Sequence, residues 1–359
     1  VIPRPHQVAP SLDTARVVFV YKSADPSAPS HAGLGIVCVC NMKTLRRSGV
    51  WAEVWPAACA AMLKERLTAA ESRAHAQGQL PPTHVIINAL WIHTADLTEL
   101  AHAFPDVTFV VVSHSNWGFL AADPMAVKLL REAVELQHST HNVRVAGNCE
   151  KFARTATDVW GANVAALPNL YDLSEPLGPA RQRWSGDTLR IGLFGAARVL
   201  KNGLTAAAAA AELAARLRVP TELHLSTERD GSGTVRSIRE LTDDVPNLKL
   251  VDHGWMPWAK FRKVVGHMHV LLQPSFTESF NIVTADGIAE GVPSVVSEAI
   301  DWAPERWQAH ADDAGDVARV TEYLLHTPQA VDDGRKALRC YVDDGVDRWR
   351  EFLSPPTQS

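Results

Sequence analysis

Short apolar runs rich in β-branched residues alternate with longer helical patterns along nearly the whole chain, and this alternation constrains the fold more than any other feature. Runs at 17–21, 50–55, 84–92, 108–113, 143–146 and 164–168 read as strands. Helical patterns at 34–47, 57–76, 97–103, 125–137 and 149–160 lie between them. Residues 172–187 break the rhythm with Pro176, Gly178, Pro179 and Gly186. The alternation then restarts, with strands at 189–194, 222–226, 248–251, 269–273 and 294–296, and helices at 204–217, 235–242, 258–266 and 282–290. The remainder is mostly helical.

Repeated βα units predict an α/β protein of two doubly wound, Rossmann-like parallel sheets facing across a cleft. The expected division is a first domain at 1–175, a linker at 176–187 and a second domain at 188–337, with a last helix at 338–356 returning to the first domain. A length of 359 residues suits two domains. Ligands of such sheets bind beyond the carboxyl ends of the strands, at a topological switch point, so the cleft between the domains is the expected site.

Charge narrows the partners. A formal net charge of −5 and a pI of 6.3 exclude a generally cationic binder of nucleic acid or anionic membrane, leaving only a local basic groove open. The five cysteines are odd in number and contain no Cys-x-x-Cys, which argues against a disulfide framework or structural zinc and for buried thiols in a reducing cytoplasm. No apolar run approaches the roughly 18 residues of a membrane span, and residues 1–10 lack the apolar core of a secretory signal. A cytoplasmic protein, monomeric or weakly dimeric, is expected.

Four segments carry candidate chemistry. Gly33-Leu34-Gly35 opens the first helix. It is no dinucleotide fingerprint, because a loop with Pro26 and Pro29 separates it from the strand and Cys38 stands where a third glycine belongs. It reads either as a helix N-terminus whose free N–H groups face an anion or sugar, or as a plain helix start. Ser113 to Gly118 follows a strongly apolar strand, with His114 and Asn116 as polar groups and Trp117 as a flat apolar face. Gly195 to Asn202 joins a strand to a helix and contains Arg198 and Lys201, a pair suited to a diphosphate. Gln273 to Asn281 follows another apolar strand; Glu278 within it and Asp286 beyond it can face one nucleotide sugar, because carboxylates accept hydrogen bonds from sugar hydroxyls. No Asp-x-Asp, P-loop or Gly-x-Ser-x-Gly occurs, so no metal held by a carboxylate pair is indicated, and P-loop and α/β-hydrolase chemistry is disfavoured.

At these residues the chain resembles the GT-B glycosyltransferases, in particular family 4 of the retaining enzymes. The resemblance is densest at 251–297, with seven residues between the members of its acidic pair and the following Gly291-Val292-Pro293 turn. It implies a retaining, metal-independent hexosyl transfer from a nucleoside diphosphate sugar, a UDP-sugar above all, with no other cofactor. By position it implies that Glu278 holds the donor sugar, Asp286 the ribose, and Arg198 and Lys201 the leaving diphosphate. His114 then reaches the sugar from the other domain, Gly33 and Gly35 let backbone approach the donor, and Ser279, Phe280 and Asn281 add backbone N–H contacts. Two departures stand out: Asp286 replaces the family's usual glutamate, and Ala196 stands where the family's arginine usually follows the loop glycine.

Stretches such as HSNWGFLAADP and FGAARVLKN look like a subgroup of phage and metagenome glycosyltransferases. Some phage enzymes of this architecture glycosylate hydroxymethylated bases, so modified duplex DNA in a host cytoplasm is one acceptor to weigh. Asn116 and Trp117 are then the candidate acceptor contacts, Trp55 and Trp91 further stacking faces, and Arg46 and Arg47 candidate phosphate contacts. A small hydroxylated molecule or a glycan is the alternative acceptor. A nucleotide-sugar epimerase on the same fold and an inactive scaffold are the alternative functions.

Overall fold

The structure, a computed structural model, describes residues 14–23, 33–174, 184–228 and 232–354. Pro26, Pro29, Pro176, Gly178, Pro179, residues 1–10 and the end of the expected last helix lie outside the described residues.

Six strands form the first sheet: β1 (Arg16–Lys22), β2 (Trp51–Ala57), β3 (His84–Asn88), β4 (Thr108–Ser113), β5 (Val143–Gly147) and β6 (Ala165–Ala166). Between them run α1 (Gly33–Arg47), α2 (Ala60–Gln77), α3 (Thr94–Ala103), α4 (Trp117–Leu120), α5 (Pro124–Ser139) and α6 (Glu150–Trp160). The second sheet holds β7 (Leu189–Leu193), β8 (Thr221–Leu225), β9 (Leu248–Asp252), β10 (Val270–Gln273) and β11 (Ser294–Val296). Its helices are α7 (Gly203–Leu217), α8 (Thr234–Thr242), α9 (Trp258–Val265), α10 (Ile282–Ala289), α11 (Ala314–His326) and α12 (Ala330–Leu353).

Both sheets are parallel, in the orders β2-β1-β3-β4-β5-β6 and β11-β10-β7-β8-β9. The order reverses between β1 and β3 in the first sheet and between β7 and β10 in the second. Strand ends diverge at such reversals and leave a crevice, which is where α/β proteins hold ligands. The loops after β7 and β10 are those that carry Lys201 and Glu278.

Burial explains the strands. Phe109 and Val110 are fully buried although they point to opposite faces of β4, because helices cover both sides. On α7, Ala206, Ala207, Ala209 and Ala210 are all fully buried, so small side chains let that helix lie close on its sheet. The apolar run after His84 stops being a strand at Asn88, since Ala89 takes φ 70° and the Trp91 indole N–H turns back to the Asn88 carbonyl at 3.1 Å. The thiols are free; Cys38, Cys40 and Cys149 are buried, whereas Cys59 and Cys340 are exposed, contrary to the expectation of buried thiols throughout.

The long α12 belongs to both domains. Leu338 and Val342 sit in the core of the second, Trp349 and Leu353 in that of the first. Gly345 lets the helix cross close to the first domain, since a Cβ there would meet Leu170 at 2.8 Å. Trp349 then donates its indole N–H to the Pro168 carbonyl at 2.8 Å and meets Phe19 edge-on at 5.5 Å. Trp349→Ala removes a fully buried indole and its hydrogen bond, and is expected to destabilise the protein by about 3–5 kcal/mol, measured as a lowered urea midpoint.

Candidate functional site

The site is built first from the two loops at the switch point of the second sheet. After β7, Gly195 takes φ 116°, a conformation that favours glycine, and turns the chain sharply. Asn202, at φ 57°, then pins the end of this loop by donating through Nδ2 to the Pro274 carbonyl at 2.9 Å and the Ala311 carbonyl at 2.5 Å. Lys201 is thereby fixed beside the second loop, where its ammonium pairs with Glu278 Oε1.

The second loop is set by Asn281. Its Oδ1 caps α10 by accepting from Thr284 N–H at 2.9 Å, while its Nδ2 donates to Gln273 at 3.1 Å and to Glu278 Oε1 at 2.9 Å. Ser275 Oγ also donates to Glu278 Oε1, at 3.0 Å. Glu278 Oε1 thus takes three donors, which hold the side chain still. Among the described residues Glu278 Oε2 has no hydrogen-bond partner, and Glu278 borders the cleft, so this oxygen remains an acceptor for a ligand hydroxyl.

The first domain closes the other side with polar groups at the ends of its strands. Asn88 Nδ2 donates to the Val20 and Ile86 carbonyls, which turns its Oδ1 toward His114 Nε2 at 2.9 Å. Asn148 Nδ2 approaches His114 Nδ1 at 3.4 Å and donates to Ser279 Oγ at 3.0 Å. An acceptor on one side and a donor on the other select the neutral tautomer with its proton on Nε2, and burial pushes the imidazole down to about 4. His114 is therefore a neutral, oriented ring rather than a proton carrier near pH 7. Its carbonyl accepts from Ser279 Oγ at 3.0 Å, so one serine ties two strand ends of the first domain to the loop of the second.

Two cavities meet at Lys201, which lines both. One, of about 500 Å³, is bordered by His114, Asn116, Phe119, Arg198 and Glu278. The other, of about 180 Å³, is more apolar and is bordered by Gly33, Ala196, Met256, Trp258, Phe261 and Asp286. Asp286 is 1% exposed and accepts at Oδ1 from Tyr171 O–H at 2.7 Å and from Trp258 Nε1–H at 3.0 Å, the indole N–H reaching Oδ2 as well at 3.2 Å. Burial raises its carboxyl from 3.8 to about 7 despite these donors.

The residues singled out in the sequence thus divide. His114, Asn116, Arg198, Lys201, Glu278 and Ser279 border the larger cavity, and Gly33, Asn281 and Asp286 the smaller. Gly35 is buried within α1, and the Phe280 ring stacks between Trp302 and Tyr341 at 5.5 and 5.3 Å, away from the cleft. The aromatic and basic residues weighed for an acceptor base and phosphate line neither cavity. Trp117 packs on Phe152 and Trp160, Trp55 is 7% exposed, and Trp91 is tied to Asn88. Arg46 donates to the Ala52 carbonyl and Arg47 pairs with Asp172. Sequence reasoning missed Asn88, Asn148, Tyr171 and Trp258. Asn88 and Asn148 stand at or just after the ends of apolar runs, the same signal that exposed His114. Among the described residues no three His, Cys, Asp or Glu side chains come together as a metal site, and no helix is long and apolar enough to cross a membrane.

No protein-family model and no curated protein matches the chain. Solved structures do match it. Sucrose-phosphate synthase from Thermosynechococcus elongatus is 14% identical, with a TM-score of 0.64 over 94% of this chain and 98% of that one. A UDP-forming trehalose-phosphate synthase from Burkholderia xenovorans is 12% identical, with a TM-score of 0.63 over 96% and 100%. HepE from Anabaena, solved with UDP and glucose, is 14% identical, with a TM-score of 0.58 over 95% and 99%. These neighbours are GT-B glycosyltransferases, and this chain has the GT-B fold.

The Asp286 carboxyl holds its proton more tightly folded than unfolded. Its contribution to stability is therefore complete below its ordinary value of 3.8 and is lost as pH rises toward 7. Asp286→Asn, which keeps an oxygen for Tyr171 and Trp258 but does not titrate, is expected to flatten the fall in stability across that window. Urea midpoints measured at intervals from pH 4.5 to 7.5 check this; an unchanged slope speaks against it.

Proposed function

We propose that this protein is a retaining glycosyltransferase that moves a sugar from a nucleoside diphosphate sugar, a UDP-sugar in the first instance, to an acceptor hydroxyl. The observation that carries this reading is the place of Lys201. It lines both the smaller, more apolar cavity and the larger cleft. A donor laid across the two puts its nucleoside in the first, its sugar in the second and its diphosphate beside the ammonium. The neighbour solved with UDP and glucose lends support to the choice of nucleotide.

The roles follow from chemistry. Glycosyl transfer passes through an oxocarbenium-like state while negative charge builds on the leaving diphosphate. Lys201 meets that charge, and the glycine turn at Gly195 lets backbone approach it. Glu278 Oε2 accepts a sugar hydroxyl. His114, Asn88 and Asn148 form the neutral polar wall across the cleft. Closure of the two domains keeps water from the reacting carbon and favours transfer over hydrolysis. With Lys201 supplying the positive charge, transfer is expected to proceed without a divalent metal, in a cytoplasmic setting compatible with free thiols.

For the acceptor, a small hydroxylated molecule fits better than duplex DNA. The groups that DNA would need, Trp55, Trp91, Trp117, Arg46 and Arg47, are engaged within the fold, and the net charge of −5 adds no general attraction to a polyanion.

Incubation with a panel of nucleoside diphosphate sugars and small polyols, in EDTA, is expected to release UDP from one UDP-sugar, and product NMR to show a retained anomeric configuration. Lys201→Ala is expected to lower kcat by roughly 100- to 1,000-fold, and Glu278→Gln to lower kcat/KM for the donor sharply, with folding intact by circular dichroism. Release of an epimerised sugar without an acceptor indicates the epimerase, and absence of donor binding indicates a scaffold.

A further inference from the structure

The loop after β7 carries two cations, and the structure sends them to different places. Lys201 is matched by Glu278. Arg198 reaches across the cleft, where its guanidinium carbon lies 5.2 Å from the centre of the Phe119 ring on α4 of the opposite domain. It borders the 500 Å³ cleft together with Asn116 and Asp123. The residue that follows the loop glycine directly and borders the nucleoside cavity is Ala196.

We infer that Arg198 is a specificity residue for an anionic acceptor, one that carries a phosphate or carboxylate group. The inference rests on the glycosyltransferase reading and adds the class of its acceptor. Among the described residues the Arg198 side chain makes no ion pair and no hydrogen bond to the protein; its one recorded contact is with the Phe119 ring. Asp123, the carboxylate that shares the cleft wall, spends Oδ1 on capping α5 through Ala126 N–H at 3.0 Å. The cation–π contact with Phe119 uses none of the guanidinium's N–H donors, which stay open to an oxyanion. A neutral polyol gives this fork no charge to meet, whereas a phosphate or carboxylate makes charge-assisted, bidentate bonds with it. Arg198 borders the larger cleft, against the facing domain, and is absent from the smaller cavity that Lys201 also lines, so its charge is directed into the larger cleft.

Calorimetric titration of the UDP-saturated protein with glucose, glucose 6-phosphate and glucuronate tests this. At least one of the two anionic sugars is expected to bind about tenfold or more tightly than glucose. In Arg198→Gln that preference is expected to fall to about twofold or less, while the Kd for UDP stays within about twofold of wild type. The stronger of the two anions identifies phosphate or carboxylate. Equal binding of all three sugars, no binding of any, or a preference that survives Arg198→Gln overturns the inference. So does a tenfold loss of UDP affinity in that variant, which places Arg198 on the diphosphate instead. A wild-type protein that does not bind UDP at all strikes the donor reading, and the same three sugars titrated without nucleotide then decide the question for Arg198.

Discussion

An ion pair between a lysine and a glutamate stands where the second sheet reverses its strand order, and the rest of the site depends on it. Lys201 and Glu278 come from loops 77 residues apart in sequence, brought side by side because β7 and β10 are neighbours in the sheet. Neither loop could hold its charge alone. Asn202 anchors one to the Pro274 carbonyl of the other, and Asn281 ties the second to the β10 end through Gln273. Both asparagines adopt left-handed backbone, at φ 57° and 64°, a conformation asparagine tolerates better than most residues. Local strain at two positions thus secures a pair whose carboxylate is 9% exposed and whose ammonium is 34% exposed. Such a pair adds little to stability on its own account. Its consequence is placement: one carboxylate oxygen is consumed and the other is left facing the cleft.

The two domains meet through polar contacts as well as apolar ones. Ser279 joins the His114 carbonyl to Asn148, Lys151 donates to the Ala299 carbonyl at 3.0 Å, and Gly118 brings α4 close to Thr277. Hydrogen bonds of this kind are each worth about 1 kcal/mol net, and water can replace them. They suit an interface that orients two halves and still lets them separate, whereas a continuous apolar seam would fuse them. The single long helix α12 limits how far they can part, since its two ends are buried in different cores.

Much of the fold was legible because parallel strands buried on both faces announce themselves as apolar runs. Of the eleven strands, β4 and β11 fall on the residues read from the sequence, and most helices begin or end within a few residues of their expected limits. The failures have physical causes. The run after His84 looked longer than its strand because the apolar residues Ala89 to Ile92 continue past Asn88 and the turn that Ala89 makes. Helix α4 went unseen because it is four residues long and has no periodicity to display; only its Asn116 cap marks it. Within the site, residues at strand ends could be located from the βα rhythm alone. Their partners could not, because Asn88, Asn148 and Tyr171 are joined to the site by contacts spanning 26 to 131 residues of chain. The three tryptophans weighed as stacking faces show the same limit. Nothing in their local sequence tells a ring packed on Phe152 from one lining a cleft.

Asp286 shows how one hydrogen bond can belong to two functions. Its partner Tyr171 closes the first domain, where the Tyr171 carbonyl accepts from Thr44 Oγ1 at 3.2 Å on α1, while its phenol crosses to α10 of the second. The bond that fastens the domains together therefore occupies the acid that borders the smaller cavity. Tyr171 donates to Oδ1, and the Trp258 indole N–H is shared between Oδ1 and Oδ2, so Oδ2 is the less occupied oxygen. A ligand hydroxyl can donate to an ionised Oδ2, and that contact favours ionisation and draws the carboxyl downward. Closure by Tyr171, burial and ligand contact are thus coupled at one carboxyl group.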